Sequence, residues 1–352
     1  MNSIKIKNFI ITENQRPMFV AEISGNHNQK LSNALKLIKR AKEAGADAVK
    51  FQYYNENDMS LNYKKKEFKI KDKKSPWRGK YLFDLYKKSS TPKKWFKKLF
   101  SYSQKIGILS FTSVFNHQDI IELEKLGNPA YKISSFEINH LPLIDRASKT
   151  GKPIIISTGI ASNKNIVDAI NICKKNKNTK IILLKCTSEY PAKLENSNLN
   201  SIPFYKKKYK CLVGLSDHTK GITASIVAAQ KGACMIEKHL KLRTDKKSVD
   251  SSFSIDPTGL SQMIKICNQI KLVGGKKIFK DSKSVLKSKK FSRSIYTSKK
   301  IYKGEFANES NIKVIRSNKG IEPKYYFNLI GKKFRVSLSA AKPLKRKYLI
   351  LK

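Results

Sequence analysis

The stretch Met235-Ile-Glu-Lys-His-Leu240 begins as an apolar strand and then sets Glu237, Lys238 and His239 in a row. A segment hydrophobic enough to be buried thus ends in polar and charged side chains, which raises the question whether other strands end alike. Seven more apolar, β-branched runs read as strands: 19–24, 48–52, 108–114, 130–135, 153–158, 180–187 and 212–217. Most are followed by amphipathic runs such as LSNALKLIKRAKEAG (31–45) and IVDAINICKKN (166–176). In these, apolar residues recur at helical spacing and Gly or Asn stands near the end. The helix after Leu240 is expected to begin near Asp256-Pro257. Eight such strand–helix units predict an α/β protein built as a (β/α)8 TIM barrel rather than an open doubly wound sheet. No Gly-x-Gly-x-x-Gly or P-loop pattern points to a nucleotide.

In a barrel of this kind the C-terminal strand ends converge on one face, and side chains two apart point the same way. Taken in order, the ends carry Glu22 with Ser24-Gly-Asn-His-Asn28, then Lys50-Phe-Gln52, Thr112-Ser113, and Lys132, Ser134 and Ser135 with Glu137. The other four carry Ser157-Thr-Gly159, Lys185-Cys-Thr-Ser-Glu-Tyr190, Ser216-Asp-His218, and Glu237 with His239. All eight end polar, which marks a catalytic face.

Sorted by chemistry, Lys50, Lys132 and Lys185 with the serines form a cradle for phosphate or carboxylate. A Schiff base is the other use open to such a lysine. Neutral imidazoles on neighbouring strands, His218 and His239, suit a divalent metal, Mn2+ first with Mg2+ or Co2+ as alternatives. Histidines there also serve as general acids. Glu137, Asp217 and Glu237 are candidates to orient water or the imidazoles, and Glu22 joins the catalytic candidates. An anion cradle, a divalent metal and a carboxylate base are the parts needed to form a carbon–carbon bond from a phosphorylated enol.

The rest of the chain narrows the setting. Residues 53–92 form a long, charged and aromatic segment after the second strand, placed where loops close over substrate. Five cysteines without CxxC spacing read as buried, reduced thiols. No long apolar run or signal-peptide core appears, so a soluble cytoplasmic protein is expected. The 73 Lys and Arg against 26 Asp and Glu give a net charge of +47, spread over helix outsides and loops without one aromatic-interleaved stripe. Neither nucleic acid nor membrane is therefore expected as the partner. The organisation reads as a catalytic barrel over 1–275, a basic linker over 276–290, and a small β-rich module over 291–352. A module of that size gains by leaning on the barrel or on another subunit.

Several ordered motifs carry a resemblance. Phe19-Val-Ala-Glu-Ile-Ser-Gly-Asn-His-Asn28, Gly45-Ala-Asp-Ala-Val-Lys-Phe-Gln52, Tyr131-Lys-Ile-Ser-Ser-Phe-Glu137, Lys185-Cys-Thr-Ser-Glu-Tyr-Pro191, Val213-Gly-Leu-Ser-Asp-His218 and Ile236-Glu-Lys-His239 resemble the sialic acid synthase family. The tail, with Arg293-Ser-Ile-Tyr296, Lys303-Gly-Glu305 and Gly331-Lys-Lys333, resembles that family's antifreeze-protein-like (SAF) domain. The resemblance implies condensation of phosphoenolpyruvate with an open-chain N-acetylated aminosugar, giving a nine-carbon 2-keto acid and phosphate. It implies that His218 and His239 bind the metal, and that Lys50, Lys132, Ser113, Ser134 or Ser135, Ser157 and Ser216 hold phosphoenolpyruvate. Gln52, Tyr190 and Asp250 would face the sugar, Glu137 would position water, and Arg316 would reach the sugar of the other subunit in a domain-swapped homodimer. Asn28 stands where the N-acetylmannosamine enzymes carry an acidic residue against the sugar. Ser134-Ser-Phe-Glu-Ile138 and Val249-Asp-Ser-Ser-Phe-Ser254 resemble the branch that takes 2,4-diacetamido-2,4,6-trideoxy-altrose, with a manno-configured sugar as the alternative. A basic binding protein without catalysis is the distant alternative, and it would not need Lys132, His218 and His239 together.

Overall fold

The computed structural model describes residues 3–13, 15–73, 75–245, 247–274 and 282–350. By its internal contacts the chain divides into two units, 1–275 and 276–352.

The first unit opens with an antiparallel hairpin of β1 (Ser3–Ile6) and β2 (Phe9–Thr12), which the strand pattern did not foretell. Eight parallel strands then close a barrel: β3 (Met18–Glu22), β4 (Ala48–Tyr53), β5 (Leu109–Val114), β6 (Tyr131–Ile133), β7 (Ile154–Ser157), β8 (Ile181–Cys186), β9 (Leu212–Asp217) and β10 (Met235–His239). Closure is made by β10 pairing with β3, with His239 opposite Glu22. The eight expected strands are all present, and the expected helices run over Leu31–Glu43, Asn163–Lys175 and Pro257–Gly274.

Strand parity divides the barrel into two cores. Inward-facing Val20, Phe111, Ile155, Ile182, Leu184 and Met235 pack with Ile4, Ile6 and Ile11 of the hairpin, so apolar side chains fill the lower end. Outward-facing Phe19, Val49, Phe51, Ile133, Leu183 and Ile236 pack against the helices, whose buried residues recur at helical spacing, as Ala34, Leu37, Ile38 and Ala41 do. Burial on both strand faces is why these runs read as nearly continuous apolar sequence. Only near their C-terminal ends do the inward positions turn polar, and that change places the site.

The 53–92 segment is folded rather than loose. Asn55 caps a short helix, Glu56–Met59, through a reciprocal bond with Asp58, and a second helix spans Leu82–Ser89. Between them Ile70 donates to Lys80 O at 2.9 Å, and Gly79 donates to Ile70 O at 2.9 Å. All five cysteines are free and buried.

In the second unit β11 (Arg293–Thr297) pairs antiparallel with β12 (Ile312–Arg316) around a small core that includes Ile295, Ile301, Phe334 and Leu344. A side chain at Gly320 would meet Ile295 O at 2.2 Å, so the turn after β12 requires glycine. Of the stretch 276–290 read as a linker, 276–281 lie outside the described residues, and Lys283–Lys289 form a helix capped by Ser282. Among the described residues, no helix is long and apolar enough to cross a membrane.

Candidate active site

Adjacent strands bring the inward polar residues into register. Glu22 on β3 lies beside Lys50 on β4, and Ser113 on β5 lies beside both Gln52 on β4 and Lys132 on β6. Cys186 on β8, Ser216 on β9 and Glu237 on β10 form another row. These rows floor a cavity of about 440 Å³.

A chain of alternating charges lies in the floor. Lys50 Nζ forms an ion pair with Glu22, donates to Ser113 Oγ at 2.9 Å, and stands 3.6 Å from Glu237 Oε1. Lys132 Nζ stands 3.8 Å from the same oxygen, and Ser216 Oγ donates to it at 3.1 Å. All four charged side chains are buried. Desolvation pushes Glu22 up to about 7 against the pull of Lys50. Glu237 is drawn down instead, because Lys132 and Lys50 together overcome its desolvation. Desolvation lowers Lys132, whereas two carboxylates outweigh it at Lys50 and raise that ammonium. Lys132 is therefore the less compensated cation of the pair.

The imidazoles of His218 and His239 adjoin, with ring centroids 5.3 Å apart. His218 Nδ1 lies 3.0 Å from Thr187 O, so it carries a proton and donates, leaving Nε2 with the lone pair in the neutral ring. His239 Nδ1 is buried without a hydrogen-bond partner. Desolvation, with His218 and nearby lysines, holds His239 well below its ordinary value and hence neutral. Against its desolvation, His218 is raised instead by Cys186 and Thr187 O, so it would give up its Nε2 proton on binding a metal. With His239 it then offers two nitrogens side by side, a donor set that fits a divalent cation. Among the described residues no group of three or more His, Cys, Asp or Glu is arranged for a metal, so further ligands would be substrate and water. Glu137, on the short turn Ser135–Glu137, is pushed up to about 7 by desolvation, and its Oε2 has no partner.

The cavity gathers Lys50, Gln52, Lys132, Ser134, Ser135, Glu137, Ser157, Tyr190, Ser216, His218, His239 and Asp250 from the expected site residues. Asp250 accepts from Ser24 Oγ. Glu22 and Ser113 lie just beneath, as partners of Lys50. Other positions depart from expectation. Lys185 faces outward on β8, where its Nζ donates to Cys186 O at 2.7 Å, so it leaves the anion cradle. Asp217 also faces outward and pairs with Lys238 at 2.8 Å. Asn28 sits in a left-handed turn at φ 51° and helps hold the Asp245 carboxyl below its usual range rather than lining the cavity. Arg316 is exposed at the end of β12, in the second unit.

Cys186, Ser188 and Trp77 are among the lining residues that the sequence reading did not assign to the site. Cys186 and Ser188 share the inward parity of β8 with Leu184, so alternation from Leu184 would have found them. Against its desolvation, Cys186 is drawn down to about 7 by His218, whose Nδ1 lies 3.7 Å from its sulfur. A side chain at Gly159 would strike Ser188 Oγ at 2.1 Å, so this strand end stays bare to admit that hydroxyl. Trp77 comes from the 53–92 segment, where no local periodicity marks it. Its Nε1 donates to Val249 O at 2.9 Å and its ring lies 5.5 Å from Tyr190, whose ring is tilted against His218 at 4.4 Å.

Comparison with known proteins gives the family. The sequence pattern of the NeuB family matches residues 37–279. A pseudaminic acid synthase of Helicobacter pylori is 42% identical over 331 residues, covering 94% of this chain and 97% of its own. A pseudaminic acid synthase of Campylobacter jejuni is 40% identical over 344 residues, covering 97% and 99%. Among solved structures, the N-acetylneuraminic acid (sialic acid) synthetase of Leptospira borgpetersenii in complex with citrate superposes with a TM-score of 0.72. It is 31% identical and covers 82% of this chain and 95% of that one. By family pattern, by near end-to-end relatives and by fold, the chain belongs to the NeuB family.

Proposed function

We propose that the chain is a transferase that condenses phosphoenolpyruvate with 2,4-diacetamido-2,4,6-trideoxy-L-altrose and water, giving pseudaminic acid and phosphate. The observation that carries this reading is the cavity floor, where two buried ammonium groups and a row of serine hydroxyls adjoin a pair of imidazoles. The choice of sugar is supported by likeness to pseudaminic acid synthases over nearly the whole chain.

Lys50 and Lys132, with Ser134, Ser135, Ser157 and Ser216, hold the phosphate and carboxylate of phosphoenolpyruvate. The unpartnered Oγ of Ser157 and the weakly compensated Lys132 suit that role, since both gain a partner on binding. Gln52, Tyr190 and Asp250 face the sugar. His218 and His239 would hold a divalent metal, Mn2+ by the chemistry of the donors, and a bound metal supplies electrophilic polarisation of the sugar aldehyde. Fixing the two reactants in one closed cavity aligns the enol carbon with that aldehyde. Glu137 orients water toward the enol-derived C2 and takes its proton, and the phosphate departs with its bridging oxygen. The tail, read as an antifreeze-like (SAF) module, would bring Arg316 to the sugar held by the partner subunit of a homodimer. The setting is that of a cytoplasmic biosynthetic enzyme.

Phosphate release by the purified chain with phosphoenolpyruvate and Mn2+ tests this. Release is expected with the diacetamido altrose and not with N-acetylmannosamine or the legionaminic precursor. Release only with a manno-configured sugar would replace the substrate and keep the reaction. No release with any sugar would remove the catalytic reading.

A further inference from the structure

The cavity is lined unequally. Its floor is made of charges and hydroxyls from the barrel strands, whereas the 53–92 segment adds the apolar Met59, Ile70, Leu82 and Leu85 beside the polar Asp72 and Ser75. Leu85 is buried, but Met59, Ile70 and Leu82 are only half-buried, so part of their apolar surface faces the cavity uncovered. Trp77 latches the same segment to the loop after β10 by its bond to Val249 O at 2.9 Å. Tyr54 and Ser89, hydrogen-bonded at 2.9 Å, tie the helix Leu82–Ser89 back to the end of β4. The apolar roof is thus held at two points over the polar floor.

We propose that Ile70 and Leu82 are specificity-determining residues that read the far, deoxygenated end of the sugar. This rests on the function proposed above. Reaction occurs at the aldehyde, C1, which must lie at the floor beside the imidazoles. An open-chain hexose then projects its C6 away from the floor, toward the roof. A C6 methyl group set against Ile70 and Leu82 covers apolar surface left bare there, and a C6 hydroxyl group at that place loses water to two side chains that offer it no hydrogen bond. An apolar wall rejects an added hydroxyl only moderately, so the expected preference for the 6-deoxy sugar over its 6-hydroxy counterpart is about 10–100-fold in kcat/KM.

The test uses the full chain with phosphoenolpyruvate and Mn2+, comparing 2,4-diacetamido-2,4,6-trideoxy-L-altrose with 2,4-diacetamido-2,4-dideoxy-L-altrose. Ile70→Ser and Leu82→Ser are expected to shrink the wild-type preference by about tenfold, mainly through the 6-deoxy sugar. KM for phosphoenolpyruvate should stay within about twofold, because the floor is untouched. Thermal melts establish folding, and Ile70→Thr and Leu82→Thr replace any serine variant that does not fold. A wild-type preference that survives unchanged in folded variants overturns this assignment alone. Turnover of neither altrose by the wild type, with release from a manno-configured sugar, overturns the assignment together with the reading beneath it.

Discussion

Two buried ion clusters share strand β10, one residue apart. Glu237 points into the barrel and joins Lys50, Lys132 and Glu22; Lys238 points outward and joins Asp217. The outer cluster is saturated. Asp217 Oδ1 accepts from Thr219 N at 2.8 Å and Thr219 Oγ1 at 2.7 Å, while Oδ2 accepts from Ser225 Oγ at 2.7 Å and Lys238 Nζ at 2.8 Å. The inner cluster is not. Glu237 Oε2, Ser157 Oγ, Glu137 Oε2, Ser188 Oγ and His239 Nδ1 are all buried without hydrogen-bond partners. Buried polar atoms are ordinarily paired, so a group of unpaired ones marks where a ligand belongs. The outer cluster serves the fold and the inner one holds bonding capacity in reserve for substrates.

The sharpest way to break this contrast is to remove one cation from each. Lys238→Met leaves Asp217 charged and buried, and should cost about 3–5 kcal/mol of stability, read from urea unfolding. Lys132→Met should lower phosphate release by about 10²–10³-fold. Its urea midpoint should fall less than that of Lys238→Met, since Lys50, 3.6 Å from Glu237, still compensates the carboxylate that loses Lys132. Equal stability losses in the two variants would erase the distinction. The smallest effect concerns pH. Glu137 is pushed up to about 7, and the proposed role needs its carboxylate, so kcat/KM should fall about tenfold per pH unit below that value. Glu137→Gln should lose activity and, with it, that acidic limb; an unaltered limb would assign the titration elsewhere.

Much of this was legible in the sequence because the barrel announces itself twice, in apolar strands and in their polar ends. Met235-Ile-Glu-Lys-His239 shows why the detail was harder. Three consecutive polar residues look equivalent in a string, yet alternation sends Glu237 and His239 inward and Lys238 outward. The same rule, counted from Leu184, would have removed Lys185 and added Cys186. It would also have turned Asp217 away from the water or imidazoles it was expected to orient. No such rule reaches Trp77, whose partners Val249, Tyr190 and Phe253 lie far along the chain. Nor did the pattern reveal the opening hairpin, whose strands are only four residues long each.

That hairpin has a kinetic consequence. Among the described residues, Ile4, Ile6 and Ile11 pack beneath the inward residues of the strands and fill the lower end of the barrel with apolar side chains. On the proposed function, phosphoenolpyruvate on Lys50 and Lys132 would therefore bind before a sugar seated above it. On that reading initial-rate kinetics should be ordered, with the ligand of the floor first to bind.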